Sequence, residues 1–470
     1  MPDNSRIVTV TGPAAITPVS REERIPALDA LRGAALLGIL LMNISGFGLH
    51  LAAYGDPTVA GGAEGSNLWF WIVNHILFDG KMRALFSMLF GAGALVLTER
   101  GEAKGVPMAD IYYRRLFWLL LFGALHAYLL WWGEILYPYA LCGLFLYPFR
   151  HVRPKRLLIT AGVCLLLMTG FFVADAFDKR DQFAKAAQAA RLRKEGKPVS
   201  EELKKLEEKH ANFLKENKPT PAQVKEDSAR WTGGFLSALK RRAEIVLHWH
   251  SVPVYFPFNF DLFAMMFLGM ALHRLGVLSA ARSVKFYAVT ALVGYASGIP
   301  LHAYTASLIV KSGFDPVMLA FSFTPYEFGR VVLALAHLSV LMLVMKAGLL
   351  RWLTAALAAV GQMAFTNYVM HSVICATFFY TLGWHGKLQR IELLYFTLAI
   401  WTFQLIASPL WLRAFRFGPL EWLWRSLTYW KRQPFLLAAA AAPEPPAEPV
   451  PAASEPAAAE LSSGTAAAGE

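Results

Sequence analysis

The sequence predicts an all-α protein that crosses a membrane many times. It is 56% hydrophobic and only 17% charged, with a mean hydropathy of +0.40, whereas a soluble domain is closer to half apolar and a quarter charged. The apolar residues gather in runs of about 20, the length that a helix needs to cross roughly 30 Å of hydrocarbon. Residues 28–54 and 286–310 are two such runs. A lipid bilayer is therefore the first expected partner.

About ten transmembrane helices are predicted. The second predicted span is overlong and carries Asp79 and Lys81 inside it, so we expect it to break into an outer interfacial piece and a crossing piece. A short helix is expected at 352–360, just before Gly361. The spans are expected at about residues 27–50, 68–98, 111–132, 136–150, 156–176, 255–273, 286–308, 326–346, 362–382 and 391–412.

The loops between the spans predict the orientation. With the N-terminus in the cytoplasm, most Lys and Arg residues of the short loops lie on the cytoplasmic side, and the opposite short loops carry only Lys311, Lys387 and Arg390. This asymmetry follows the positive-inside rule, so both termini are predicted to be cytoplasmic. The same rule accounts for the net charge of +12, and no nucleic-acid partner is expected.

Five regions are expected. They are a cytoplasmic N-terminal segment (1–24), a membrane domain with spans one to five (25–176), a charged helical insert on the outer side (177–250), a membrane domain with spans six to ten plus an interfacial helix (251–435), and a disordered tail rich in Ala and Pro (436–470). The first part of the insert predicts two charged helices around 196–198. A solvated hairpin is favoured there over a docking surface, while the tail lacks the apolar residues for a core.

Several polar side chains are expected deep in the membrane. Counting 1.5 Å per residue from the basic loops places Asn43, His126, His371 and Gln404 near the midplane. Asn367 shares a helix face with His371. Ionisable residues at this depth usually face the bundle interior or a wet cavity. Asn367, His371 and Gln404 are therefore predicted to line a substrate cavity, although each could equally make an ordinary interhelical hydrogen bond.

The stretch GALHAYLLWWGEILYPYALCG (123–143) carries two ionisable residues, His126 and Glu134. Histidine suits proton transfer because its ordinary pKa is near neutrality. On a continuous helix the two residues would lie about 80° and roughly 12 Å apart. We therefore expect them to act at different depths, with Glu134 at the outer mouth, unless Gly133 ends the helix and the chain folds back.

Two further pairs have i, i+3 spacing. Asp29 and Arg32 at the entry to span one are predicted either to pair with each other or to leave Arg32 free to hold a phosphate. Glu327 and Arg330 at the start of span eight are expected to form a structural pair.

Two motifs outside the spans point to interfacial roles. Glu421 and Arg425 lie in GPLEWLWRSLTYW, an aromatic segment with basic flanks that is typical of a helix on the inner leaflet. His248 and His250 are too few ligands for a metal site, so no metal is predicted.

Four stretches resemble the YeiB-like family of bacterial inner-membrane proteins, a family long labelled as of unknown function. They are LDALRGAALLGILLMNISGFG (28–48), GKMRALFSMLFGAGAL (80–95), the stretch at 123–143, and VGQMAFTNYVMHSVICATFFYTLG (360–383) with FGPLEWLWRSLTY (417–429). The resemblance implies a multi-pass protein of the bacterial inner membrane. The charged insert and the tail look specific to this chain, and His371 stands where the family is expected to have Gln.

The YeiB-like family in turn resembles transmembrane acyltransferases, which move an acyl group from cytosolic acyl-CoA to an acceptor across the bilayer. Acyltransferase-3 enzymes usually carry their catalytic His late in the first span, where this chain has Asn43. The lysosomal heparan-glucosaminide acetyltransferase group also places Asn there and uses a His elsewhere. The resemblance therefore implies another catalytic His. His126 is the first choice, and His75 in NHILFDG is the second.

This resemblance implies acyl-CoA as a co-substrate and an outer-face sugar or cell-envelope glycan as acceptor. His126 would act as general base or carry the acyl group itself, and Asn43 would donate a hydrogen bond to the developing oxyanion. Arginine binds phosphate in a bidentate manner, so the phosphates of CoA are expected against basic residues at the cytoplasmic ends of the spans: Arg32, Arg114, Arg115 and Arg153.

Two other functions fit the sequence. Broken spans and polar residues at the midplane are also found in transporters and flippases of small metabolites or lipid-linked groups, although no inverted repeat is detectable. A non-catalytic scaffold or sensor would instead use the insert and the tail. A homodimer is compatible with each of these functions.

Overall fold

The computed structural model describes residues 24–437, without the side chains of 252–257. The predicted N-terminal segment, except residue 24, and the predicted tail, except residues 436 and 437, lie outside these residues. The described chain is built from helices, with one isolated β-bridge between Phe415 and Leu436, which confirms the all-α class.

Seventeen α-helices follow one another in the described chain. Short 3₁₀ turns follow α1 and α5, and a π-helical turn, Thr377–Thr381, follows α15. The helices are α1 Pro26–Gly48, α2 Gly65–Leu77, α3 Lys81–Ala103, α4 Ala109–Leu129, α5 Leu136–Leu144, α6 Pro154–Lys194, α7 Glu201–Asn217, α8 Pro221–Thr232, α9 Phe235–Trp249, α10 Val252–Arg274, α11 Val284–Lys311, α12 Pro316–Ser322, α13 Tyr326–Lys346, α14 Arg351–Gln362, α15 Ala364–Ala376, α16 Arg390–Ala414 and α17 Pro419–Tyr429.

Six segments of the described chain are long and apolar enough to cross a membrane. They are α1, the segment Gly65–Ala103 that contains α2 and α3, and the helices α6, α11, α13 and α16. The chain is thus a helical membrane protein, while the count of ten spans and the cytoplasmic placement of both termini stay predictions.

The overlong second span is broken where the sequence predicted. α2 ends at Leu77 and α3 begins at Lys81. Gly80 between them has a φ of +70°, and a Cβ there would overlap the hydroxyl of Tyr326, so the break requires glycine. The short helix expected before Gly361 is also present, as α14.

The fourth predicted span, 136–150, is not one continuous helix. α5 has only 9 residues, and it is followed by the separate 3₁₀ turn Tyr147–His151. Pro148 lies in this turn, where it has no N–H to continue an α-helical hydrogen-bond ladder.

The insert is joined rigidly to the membrane part. α6 has 41 residues and is about 60 Å long at 1.5 Å per residue, so the expected domain boundary at 176 falls inside it. The chain turns after Lys194, at the predicted position, and α7 packs back on α6. Further along, Arg242 of α9 donates to the carbonyl oxygens of Tyr128 and Leu129 at 3.0 and 2.9 Å, where it caps the end of α4.

Glycines hold α1 against α14. A Cβ on Gly33 would overlap the carbonyl of Leu357, and one on Gly361 would overlap the carbonyl of Asp29. Small residues allow such close approach of helix backbones in membranes. This contact fixes the first turns of α1 beside the start of α15.

A network of buried charges joins α3, α10 and α13. Arg330 is fully buried and contacts both Glu327 and Asp261, and Arg83 contacts the same Asp261. The expected pair of Glu327 and Arg330 is therefore present. Asp261, which the sequence analysis did not single out, completes the network.

Loss of one partner from this network is expected to be costly. Asp261→Asn should lower the free energy of unfolding by about 3–5 kcal/mol, because the buried Arg330 and the partly buried Arg83 lose their shared counter-ion. Thermal unfolding of the full chain in detergent measures this. The control is Asp181→Asn on the insert, where the ion pair with Lys185 is exposed and contributes little to stability. Equal stability of the two variants would contradict the account.

Candidate functional site

His126 and Glu134 are in direct contact, so the expectation that they act at different depths is wrong. α4 ends at Leu129, and residues 130–135 reverse the chain so that α5 packs back on α4. The carboxylate of Glu134 thereby contacts Nδ1 of His126. The helix ends before Gly133, and just beyond its end the buried Trp131 stacks on Phe47, with ring centroids 4.5 Å apart.

The carboxylate of Glu134 is also held by the first turn of α5. Its second oxygen accepts hydrogen bonds from the backbone N–H groups of Leu136 and Tyr137. The positive end of a helix dipole stabilises a carboxylate in this position. Glu134 and His126 are both buried. The acid is therefore fixed on one side of the imidazole and orients it.

The other side of the imidazole faces a hydroxyl group. Nε2 of His126 lies 2.8 Å from Oγ of Ser372, a buried residue on α15. Glu134, His126 and Ser372, called the triad below, thus form a row of acid, imidazole and hydroxyl. A base that is oriented by a third group and lies within hydrogen-bond reach of a hydroxyl is the arrangement that activates a serine nucleophile.

A cavity of about 270 Å³ opens between α1, α3, α4, α15 and α17. Most of its wall is apolar or aromatic, and its lining includes Tyr368 and Leu136. The lining also includes charged side chains at one end of these helices: Arg24, Arg32, Arg100, Arg115 and Arg425, with Asp29 and Glu421. We call this end of the bundle the basic end and this opening the mouth.

The two acids at the mouth are already engaged. Asp29 accepts hydrogen bonds from Arg32 at 2.9 Å and from Arg24 at 3.5 Å. Glu421 accepts from the backbone N–H groups of Phe365 and Thr366 at 2.7 and 3.1 Å, so it caps the start of α15. With five arginines and two acids, the mouth carries a net positive charge that suits an anion.

Aromatic rings support two of the other guanidinium groups at the mouth. Arg115 lies over the ring of Trp424 at 3.8 Å, and Arg425 lies over Phe417 at 4.7 Å. Burial and the neighbouring Arg24 lower the pKa of Arg425, which shows how closely positive charges are placed here. Bound phosphate would relieve this repulsion.

Two of the four predicted phosphate-binding arginines line the cavity. Arg32 does so while it pairs with Asp29, which confirms the first interpretation of that pair, and phosphate binding by Arg32 stays a prediction. Arg115 is the second lining residue. Arg114 instead pairs with Asp110 at 2.8 Å. Arg153 precedes α6 and does not belong to the lining.

The cavity and the triad share a wall. The ring of Tyr368 lies 5.1 Å from the ring of His126, centroid to centroid. The backbone N–H of Leu136, another lining residue, donates to Glu134. The Tyr368 hydroxyl lies beside the backbone at Ile135 but makes no hydrogen bond of good geometry. A group in the cavity is therefore separated from the imidazole by one aromatic side chain.

The residues predicted to line a substrate cavity bond to one another instead. Nε2 of His371 lies 2.7 Å from Oε1 of Gln404, whose amide donates to the backbone carbonyl of Asn367 at 3.1 Å. Asn367 also donates to Ser408 at 3.0 Å. The three residues are buried between α15 and α16 and do not belong to the cavity lining. They form interhelical hydrogen bonds, which was the alternative to a substrate cavity that the sequence left open.

Asn43 and His75 make contacts to residues other than the triad. Asn43 accepts a long hydrogen bond of 3.5 Å from the hydroxyl of Tyr54. His75 stacks on Trp71 with ring centroids 5.0 Å apart and lies 3.7 Å from Asp79. These contacts give His75 a packing role at the end of α2, and neither residue belongs to the cavity lining.

Between residues 24 and 437, no group of three or more His, Cys, Asp or Glu side chains is arranged to hold a metal ion. His250, one of the two histidines of HWH, stacks on Tyr137 with ring centroids 4.8 Å apart.

Comparisons with known proteins cover almost the whole chain. A family model described as "Protein of unknown function (DUF418)" matches residues 272–431. "Uncharacterized protein YxaH" of Bacillus subtilis (strain 168) is 31% identical over 443 residues, 90% of this chain and 98% of that protein. "Uncharacterized protein YeiB" of Escherichia coli (strain K12) is 32% identical over 410 residues, 86% of this chain and 96% of that protein. No solved structure matches the chain.

Proposed function

Because the chain belongs to the YeiB-like, DUF418 family of membrane proteins, we propose from its site that it is a membrane acyltransferase with acyl-CoA as donor. One observation carries this proposal. A cavity with an arginine-rich mouth and an apolar body ends against residues that contact a buried pair of His126 and Glu134. We further propose the bacterial inner membrane as its location, with the basic end towards the cytoplasm by the positive-inside rule.

The cavity is charged at its mouth and apolar in its body, and acyl-CoA changes from charged to apolar in the same order. Acyl-CoA carries phosphates at one end and an acyl thioester at the other. Arg32 and Arg115 at the mouth suit the phosphates, since guanidinium groups bind phosphate oxygens in pairs. The apolar walls suit the slender pantetheine arm and the acyl group, so the thioester points towards Tyr368 and the nucleotide stays at the mouth.

The chemistry required of the protein is proton transfer. His126 accepts at Nε2 the proton of the hydroxyl or amine group that attacks the thioester carbonyl carbon. The carbon–sulfur bond then breaks, and the departing CoA thiolate takes the proton from His126. Glu134 stabilises the imidazolium that exists between these steps. An acceptor that bears a hydroxyl or an amine, such as an envelope glycan, fits this reaction.

Donor binding should depend on the cavity arginines alone. Arg32→Gln and Arg115→Gln are each expected to weaken acetyl-CoA binding at least about tenfold, because a hydrogen bond to a charged group is worth about 1.5–3 kcal/mol. Equilibrium binding of radiolabelled acetyl-CoA to the full chain in lipid nanodiscs measures this.

The matched controls are Arg114→Gln and Arg153→Gln, which remove arginines outside the cavity lining. Both should bind acetyl-CoA as the wild type does. An absence of binding to the wild type, or equal weakening in all four variants, would overturn the proposal. Counterflow of an unchanged solute in liposomes, without acetyl-CoA binding, would favour a transporter instead.

A further inference from the structure

We propose that Ser372 is a nucleophile that carries the acyl group in a covalent intermediate. This inference rests on the proposed acyl transfer and adds a second chemical step to it. No pattern in the sequence points to Ser372. The residue enters because α15 packs against α4 in a way that brings its hydroxyl to the imidazole.

The geometry of Ser372 is that of an activated hydroxyl. Its Oγ lies 2.8 Å from Nε2 of His126, and Nδ1 of the same ring contacts the carboxylate of Glu134. The carboxylate fixes the ring so that Nε2 faces the serine. All three side chains are buried, and exclusion of water protects an ester intermediate from hydrolysis.

The position of Ser372 also favours it over direct attack by the acceptor. Nε2 of His126 is already engaged by Oγ, so an acceptor that used the base directly would first have to displace the serine. The same contact disfavours His126 as the acyl carrier, because its nucleophilic nitrogen faces Ser372. Serine therefore reacts first with the least rearrangement.

A hydrogen-bond donor for the oxyanion lies on the same helix face. Tyr368 precedes Ser372 by four residues, one turn of α15, so both side chains project to the same side. The Tyr368 hydroxyl is buried and makes no hydrogen bond of good geometry. Its ring lines the cavity and packs on His126. Tyr368 is thus placed between the incoming thioester and the triad, and its O–H group can donate a hydrogen bond to the oxyanion.

Acyl transfer through Ser372 takes two steps. Ser372 gives its proton to His126 as Oγ bonds to the thioester carbonyl carbon, and the departing CoA thiolate takes that proton as the carbon–sulfur bond breaks. An acceptor hydroxyl or amine then gives its proton to His126 and bonds to the same carbon. The bond to Oγ breaks, and the serine recovers its proton from His126.

The intermediate can be trapped. The full chain in nanodiscs is mixed with radiolabelled acetyl-CoA without acceptor, quenched in acid within seconds and digested for mass spectrometry. We expect a burst of free CoA thiol and an acetyl ester on the peptide that contains Ser372. Ser372→Ala should lose the label and lower acyl transfer at least about 100-fold.

Two variants control for misfolding and for nonspecific labelling. Ser408→Ala removes another buried serine, which bonds to Asn367, and should keep the label. Ser372→Cys should restore a labelled intermediate that hydroxylamine cleaves rapidly, as expected for a thioester. Even if Ser372→Ala fails to fold, Ser372→Cys and the wild-type peptide map show whether residue 372 carries the acyl group.

The outcomes separate this inference from the proposed function. If Ser372→Ala releases CoA at the wild-type rate, or if the label resides on His126, the role of Ser372 is overturned while acyl transfer stands. If the wild type neither binds acetyl-CoA nor releases CoA thiol, the proposed function fails and this step fails with it.

Discussion

Replacement of His126 by Gln is expected to lower acyl transfer from acetyl-CoA by at least about 10³-fold. The imidazole is the group of the triad that is placed to accept a proton and return it, and general base catalysis is typically worth about 10²–10⁴-fold. Acetyl-CoA binding should stay within about twofold of the wild type, because His126 does not line the cavity. Steady-state release of CoA thiol together with equilibrium binding measures both quantities.

The matched control is His371→Gln. His371 is a buried histidine as well, on the same helix as Ser372, but it bonds to Gln404. Because Gln is the residue expected in the family at this position, this variant should retain activity within a few-fold of the wild type. Comparable loss in both variants would indicate a general packing defect, and full activity of His126→Gln would remove His126 from the mechanism.

Glu134→Gln is expected to reduce the turnover number by about 10³-fold and to leave the Michaelis constant for the donor nearly unchanged. An amide keeps the shape of the side chain and one oxygen acceptor, yet it cannot stabilise the imidazolium, and its N–H favours the wrong tautomer of His126. Loss of the acid in a Ser–His–acid triad has an effect of about 10⁴-fold in a well-studied protease.

Asp110→Asn serves as the control for this variant, since Asp110 is an acid on α4 that pairs with Arg114 at the other end of the helix. Its activity should match the wild type. A thermal unfolding curve for Glu134→Gln within a few degrees of the wild type would show that lost turnover reflects chemistry. Undiminished turnover with intact folding would contradict the orienting role of Glu134.

Local signals made much of the fold predictable. Glycine and charged residues predicted the break between α2 and α3, and Gly196 with Pro198 predicted the turn in the insert. Gly133 was a signal for a possible end of α4, but the helix ends earlier, at Leu129. Just beyond that end Trp131 stacks on Phe47, and this contact between distant residues is invisible in the sequence.

The site was only half predictable for similar reasons. His126 and Glu134 attract attention because ionisable residues are rare in apolar segments. A serine does not, since hydroxyl groups in membrane helices commonly bond to their own backbone, and only the packing of α15 on α4 brings Ser372 to the imidazole. Neighbouring residues such as Arg114 and Arg115 point about 100° apart on a helix, so charge alone could not tell which one faces the cavity.

The proposed function requires that the cavity receives acyl-CoA from the basic end. A cryo-electron microscopy structure of the full chain in nanodiscs with saturating CoA tests it most directly. We expect phosphate density between Arg32 and Arg115 and a pantetheine arm that ends with its thiol against Tyr368. A cavity that holds only lipid, or CoA bound elsewhere on the molecule, would contradict it.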